Sequence, residues 1–276
     1  MRILPGPEQH RSPDTAGGPV LVTSALTKRY GDLLALNNLD LRLNPGEIYG
    51  LLGPNGSGKS TALRMITGIL APTSGSVRAG GYDVWKQPEK AKALMGYIPD
   101  EPVLYEKLTA LEFLDFVGEL YSVPKGQRKQ KIETILHMLD MEGRINDQIQ
   151  SYSRGMRQKV AITAALLHEP PVLIMDEPVT ALDPIAVRVF RGMLRQKTKS
   201  GGAVLLSTHI LEIAQHLCDR VGILVGGELV DEGTPSELRA RAGSSSAGAS
   251  LEDLFISLAA SPEYKDIISS LEADLT

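Results

Sequence analysis

Residues 53–60 read Gly-Pro-Asn-Gly-Ser-Gly-Lys-Ser, the G-x-x-x-x-G-K-[ST] spacing that cradles a polyphosphate. Gly53, Gly56 and Gly58 lack a Cβ, so the chain there can bend tightly and turn its N–H groups toward phosphate oxygens. A helical pattern follows, and its N-terminus adds an anion site. Lys59 can reach the β- and γ-phosphates, and the Ser60 hydroxyl can ligate Mg²⁺. Two later positions carry matching chemistry. Asp176-Glu177 closes an apolar run, where Asp176 can anchor Mg²⁺ and Glu177 can orient and deprotonate a water. Ser207-Thr208-His209 closes another, where His209 can hydrogen-bond a γ-phosphate or the attacking water. A solvated turn and a structural histidine are the plainer alternatives, and the phosphate loop upstream weighs against both. These residue types predict binding and hydrolysis of a nucleoside triphosphate.

Such groups act only if the elements between them bring them together. Glu47 to Leu52 is apolar and strand-like before the loop, and Ala62 to Leu70 has helical spacing after it. Val172 to Met175 and Ala203 to Leu206 are apolar without alternation, as in strands of a parallel sheet covered on both faces. Ligands of such sheets bind beyond the carboxyl ends of the strands. If the three strands run parallel, the loop, both carboxylates and the imidazole meet at one edge.

The remaining pattern sorts around this core. Leu39 to Leu43 alternates at period two, and Asn44-Pro45-Gly46 reads as a turn. Residues 71–84 hold short strand pieces among Pro72, Gly75, Gly80 and Gly81. Leu108 to Tyr121 and Lys125 to Leu139 are helical, with Pro124 between them, and Ser153 to His168 enters a further helix. Gly226-Gly227 between Val221–Val225 and Glu228–Asp231 signals a hairpin. Thr234-Pro-Ser-Glu237 caps a short helix. Residues 1–19 read as a disordered tail, Ser244 to Ser250 as a small-residue linker, and an amphipathic segment begins near Leu251.

Composition removes several classes. The 276 residues are 42% hydrophobic and 22% charged, as in globular proteins, and the net charge of −4 gives no field for nucleic acid. The single cysteine, Cys218, allows no internal disulfide and is expected to pack as a small buried hydrophobe in a reducing compartment. No apolar run approaches the length of a membrane span, and the first residues lack the apolar core of a signal peptide. A soluble cytoplasmic protein is expected, with another chain supplying any membrane part.

With these motifs in this order, the chain resembles the ATP-binding subunit of an ABC transporter over about residues 20–241. The most specific feature is Tyr152-Ser-Arg-Gly-Met-Arg-Gln-Lys-Val160, about twenty residues before Asp176, where that family carries its signature. The resemblance implies an α/β fold: a P-loop NTPase core of the ABC ATPase type, with an antiparallel β subdomain and an inserted helical subdomain at about 100–160. Residues 242–276 would then be a linker and C-terminal helical segment. By the same resemblance Tyr30 stacks on adenine, and Gly53, Pro54, Asn55, Gly56, Ser57, Gly58, Lys59, Ser60 and Thr61 bind ATP. Glu177, His209 and Lys59 are catalytic, and Asp176 joins Ser60 on Mg²⁺. Asp183, in Ala181-Leu-Asp183, belongs to a loop that communicates across a dimer. Ser153, Arg154, Gly155 and Met156 serve the ATP of the opposite subunit.

The chain departs from the family pattern in two places. The signature reads Tyr-Ser-Arg-Gly-Met where Leu-Ser-Gly-Gly-Gln is common, a form similar to that of ABC-2-type exporter subunits, as are Gly96-Tyr-Ile-Pro-Asp-Glu-Pro102 and Leu251-Glu-Asp-Leu-Phe255. Asp100 stands where a glutamine usually touches Mg²⁺ and senses the membrane subunit. A carboxylate can bind Mg²⁺ but cannot donate the amide hydrogen bond. The expectation is an ATPase using ATP and Mg²⁺, dimerising with a like or unlike subunit. It would power a separate integral membrane permease, in the export direction, from the inner face of the cell membrane. The rival is a soluble ABC ATPase acting on a non-membrane complex.

Overall fold

The computed structural model describes residues 18–243 and 251–259. Most of the expected tail and the expected linker at 244–250 lie outside the described residues. The chain opens with long strands β1 (Leu21–Tyr30) and β2 (Leu33–Leu43), then β3 (Ile48–Leu52), α1 (Lys59–Ile66), β4 (Ser74–Ala79), β5 (Tyr82–Asp83), α2 (Pro88–Ala93) and β6 (Met95–Ile98). Helices α3 (Ala110–Leu120), α4 (Lys125–Met138) and α5 (Arg154–Leu166) follow. The chain then returns through β7 (Val172–Asp176), α6 (Pro184–Lys199), β8 (Ala203–Thr208), α7 (Leu211–Leu217), β9 (Arg220–Val225) and β10 (Glu228–Gly233) to α8 (Pro235–Gly243) and α9 (Leu251–Ala259).

Two sheets result. One is antiparallel, in the order β2-β1-β4-β5; the other runs β10-β9-β3-β8-β7-β6. In the second, β3, β8, β7, β6 and β9 are parallel and only β10 is antiparallel. The three apolar runs thus sit side by side, all pointing the same way. Their lack of alternation has a direct cause. Along β7, Leu173 and Met175 face the helices α3 to α7, whereas Val172 and Ile174 face α1 and the antiparallel sheet. Both faces are covered, so successive residues must all be apolar. In β2 only one face is covered, and Leu39, Leu41 and Leu43 are buried while Asp40 and Arg42 are exposed.

Local signals begin two of the helices, the second of them as expected. Thr109 and Glu112 form a reciprocal capping box on α3, and Thr234 with Glu237 does the same for α8. Strand β6 has only four residues, too few for a pattern to show; it exists because it pairs with β7 at the edge of the sheet. In α9, Leu254, Phe255 and Leu258 pack against the core.

Cys218 is buried, and burial pushes its thiol up to about 12. Its Sγ lies 2.6 Å from where a Cβ on Gly50 would stand, so the thiol fills the gap left by a glycine inside β3. The thiol should ignore Ellman's reagent in the folded protein and react only after denaturation.

Candidate nucleotide-binding site

The phosphate loop leaves β3 and closes into α1 at Gly58, whose φ of 105° favours glycine. Space forbids a side chain as well, since a Cβ there would lie 2.5 Å from the Ala35 carbonyl oxygen of β2. The antiparallel sheet therefore presses directly on the loop. On the other side the Gly226-Gly227 turn between β9 and β10 reaches over it. The Gly227 N–H donates to the Ser57 carbonyl at 3.0 Å, and the Asn37 N–H donates to the Gly227 carbonyl at 2.8 Å. Both glycines have positive φ, as a two-residue hairpin requires. The Gly-Gly pair predicted the turn, but its grip on the loop is a product of the fold.

Lys59 is buried and folds back on the loop, donating to the carbonyls of Gly53 at 2.8 Å and Pro54 at 3.0 Å. Its Nζ lies 4.0 Å from Glu177 Oε1. Burial lowers the Lys59 pKa, and the charges of Glu177 and Asp176 pull it back up. The loop is thus already set against the two carboxylates.

Parallel register does the rest. Asp176 at the end of β7 pairs with Ser207 at the end of β8. The Ser207 hydroxyl donates to Asp176 Oδ1 at 2.5 Å and accepts from the Glu177 N–H at 3.2 Å. One serine therefore holds the Asp176 carboxylate and the backbone of Glu177. The sequence marks it only as a residue before His209, and its role needed the register. Glu177 has a φ of 46°, a left-handed conformation that costs a non-glycine residue roughly 1 kcal/mol. It turns the carboxylate out of the strand toward the loop. Oε1 accepts from His209 Nδ1 at 2.8 Å, while Oε2 is buried without a hydrogen-bond partner. A carboxylate oxygen with no donor on it keeps its full acceptor capacity. His209 is placed to hold the Glu177 carboxylate, a contact additional to the two roles read from the sequence.

A cavity of about 460 Å³ opens over these groups. Tyr30 and Leu33 form one wall, Asn55, Gly56, Gly58, Lys59, Ser60 and Thr61 the floor, and Asp100, Glu177 and the Gly226-Gly227 turn the rim. The size suits a small-molecule ligand. Tyr30 is 47% exposed, and Lys28 Nζ stands over one face of its ring, 5.1 Å from the centroid. Asp176, Gly53 and Ser57 lie beneath, buried or at the loop entry.

The signature residues do not line this cavity. Ser153 caps α5, accepting from the Met156 N–H at 3.3 Å, and stays exposed. Gly155 backs onto the loop after Glu177, where a Cβ would lie 2.6 Å from the Ala181 carbonyl oxygen. Asp183 caps α6 through the Ala186 N–H at 2.8 Å and pairs with Lys159 of α5 at 3.6 Å. The Ala186 hydrogen bond, with Lys159 beside it, holds the Asp183 carboxyl below its usual range. Arg154 alone touches the cavity rim, through Asp100 at 3.2 Å.

Comparison with known proteins bears on this geometry. The family profile described as ABC transporter matches residues 36–180. The linearmycin resistance ATP-binding protein LnrL of Bacillus subtilis is 38% identical over 224 residues, covering 81% of this chain and 72% of that protein. The solved structure of an ATP-binding subunit of an ABC transporter superposes with a TM-score of 0.81 at 34% identity, covering 87% of this chain and 99% of that one. A dimeric post-hydrolysis state of the cassette MJ0796, bound to ADP and Pi, does so with 0.71 at 27% identity, covering 78% and 98%. The chain belongs to the ABC transporter family and is one of its ATP-binding, ATP-hydrolysing subunits.

Proposed function

We propose that this subunit closes as a dimer around two ATP molecules, each held between the phosphate loop of one chain and the signature of the other. The observation that carries the catalytic assignment is Glu177, fixed by His209 on one oxygen and without a hydrogen-bond partner on the other, beside Lys59 of the loop. Glu177 is the base, Lys59 and the loop N–H groups hold the phosphates, and Tyr30 stacks on the adenine. Ser153 and Gly155 lie outside their own cavity, which supports their service to a neighbouring chain.

For the Mg²⁺ that accompanies ATP, Ser60, Asp176 and Asp100 offer hard oxygen donors. Among the described residues no cluster of three or more His, Cys, Asp or Glu could hold a metal. This fits an ion bound through one or two carboxylates together with substrate phosphates. When bound, it neutralises charge on the phosphoryl group.

A membrane permease as partner is supported by the surface beyond Asp100. Val103 is 90% exposed and Tyr105 60%, and Tyr105 packs on Phe113 and Phe116 at ring distances of 6.0 and 5.8 Å. Grouped exposed apolar residues mark a protein interface. No helix among the described residues is long and apolar enough to cross a membrane. A permease on a separate chain, with this subunit peripheral on its cytoplasmic side, is part of the proposal. Export is favoured by the exporter-like signature and by the resistance role in the name of the Bacillus subtilis relative. The domain limits read from the sequence, with the ATPase unit ending near residue 241, belong to the same proposal.

The site reading is tested by separating binding from turnover. Lys59→Ala removes charge-assisted hydrogen bonds and should weaken ATP binding by about 10- to 100-fold. His209→Ala should bind nearly as before and hydrolyse about 10²-fold more slowly, because it loosens the base. Equal losses of affinity in the two variants, measured by nucleotide titration, would reverse the assignment of His209.

A further inference from the structure

Asp100 belongs to two places at once. It borders the nucleotide cavity with Lys59, Ser60 and Glu177, and its Oδ1 accepts from Arg154 Nη2 of the signature at 3.2 Å. We propose that Asp100 is a shared carboxylate, held by Arg154 until the chain takes up Mg²⁺ with ATP, and that this exchange releases the signature arginine toward the neighbouring chain. The proposal rests on the nucleotide site described above.

The pair is built to exchange. Arg154 is 61% exposed and Asp100 46%, and one nitrogen meets one oxygen, without the paired fork of a strong guanidinium–carboxylate contact. Exposed pairs of this kind are weak and easily broken. Arg157 Nη1 grips Glu106 at 2.6 Å, and the Gln150 N–H donates to the Glu106 carbonyl at 2.9 Å. These contacts fasten the start of α5 to the segment after Asp100. The pair can therefore open by side-chain rotation while α5 stays in place. A guanidinium on Asp100 also opposes a second cation there through like charge. The usual residue at position 100, a glutamine, would carry no charge for Arg154 to neutralise. Two of the departures from the family pattern, at 100 and 154, are the partners of one ion pair. Because Arg154 follows Ser153, the state of a chain's own site is transmitted to the surface it offers its neighbour.

The test uses the full chain carrying Glu177→Gln, diluted to a monomer, with ATP titrated in the presence and absence of Mg²⁺. The readout is the gain in ATP affinity that Mg²⁺ confers. Arg154→Gln should enlarge this gain about two- to five-fold, since a competing cation is removed. Asp100→Asn should diminish it, and adding Arg154→Gln to Asp100→Asn should change nothing further. No change on Arg154→Gln alone, or the same change in the Asp100→Asn background, would overturn the exchange. If instead ATP binding were insensitive to Lys59→Ala, the nucleotide-site reading itself would fail.

Discussion

Glu177→Gln should bind ATP and lose turnover by about 10²–10⁴-fold, the usual cost of removing a general base. The substitution is close to isosteric. The His209 hydrogen bond survives, because an amide oxygen accepts as a carboxylate oxygen does, and the melting temperature should hardly move. What is lost is the capacity of the carboxylate to take a proton from water. With hydrolysis stopped and both phosphate-binding surfaces intact, the ATP-bound dimer should accumulate and be visible by size-exclusion chromatography with ATP. Near wild-type phosphate release from this variant would reject Glu177 as the base.

Ser153→Asp should abolish ATP-driven dimerisation without disturbing ATP binding to the monomer. Aspartate caps a helix as well as serine does, so α5 keeps its first turn. The new charge would face the γ-phosphate of the neighbour, and like charges set against each other cost several kcal/mol, about 10²-fold or more in association. Gly155 is a poorer probe, since any side chain there strikes the Ala181 carbonyl of its own chain. Mixing Ser153→Asp with Lys59→Ala sharpens the test. In a homodimer each mixed pair has one site with both defects and one with neither, so equal mixing should restore about a quarter of wild-type sites. Activity recovered only on mixing establishes a site shared between chains. If Ser153→Asp weakened ATP binding to the dilute monomer, the signature would serve its own site and the composite dimer would be wrong.

The chemistry of the site was legible early because it is carried by residue types at fixed spacing. A loop of three glycines, a lysine and a serine between a strand and a helix can do little else. Asp176-Glu177 and His209 stood out because each ends an apolar run, and the parallel register of β3, β8 and β7 then brought them to one edge. The hairpin at Gly226-Gly227, the cap of α8 and the burial of Cys218 are likewise local or compositional.

Other features depend on residues far apart in the chain, and no window of sequence contains them. Ser207 matters because two strands align it with Asp176, 31 positions away. Strand β6 exists only as a partner of β7. The contact of Asp100 with Arg154 spans 54 positions. The sequence by itself determined which groups are present and which chemistry they share, since spacing and alternation are properties of the chain. The tertiary structure decided which oxygen of Glu177 is held and which is buried without a partner, and which arginine meets Asp100, because those are set by packing between elements and not by any one of them.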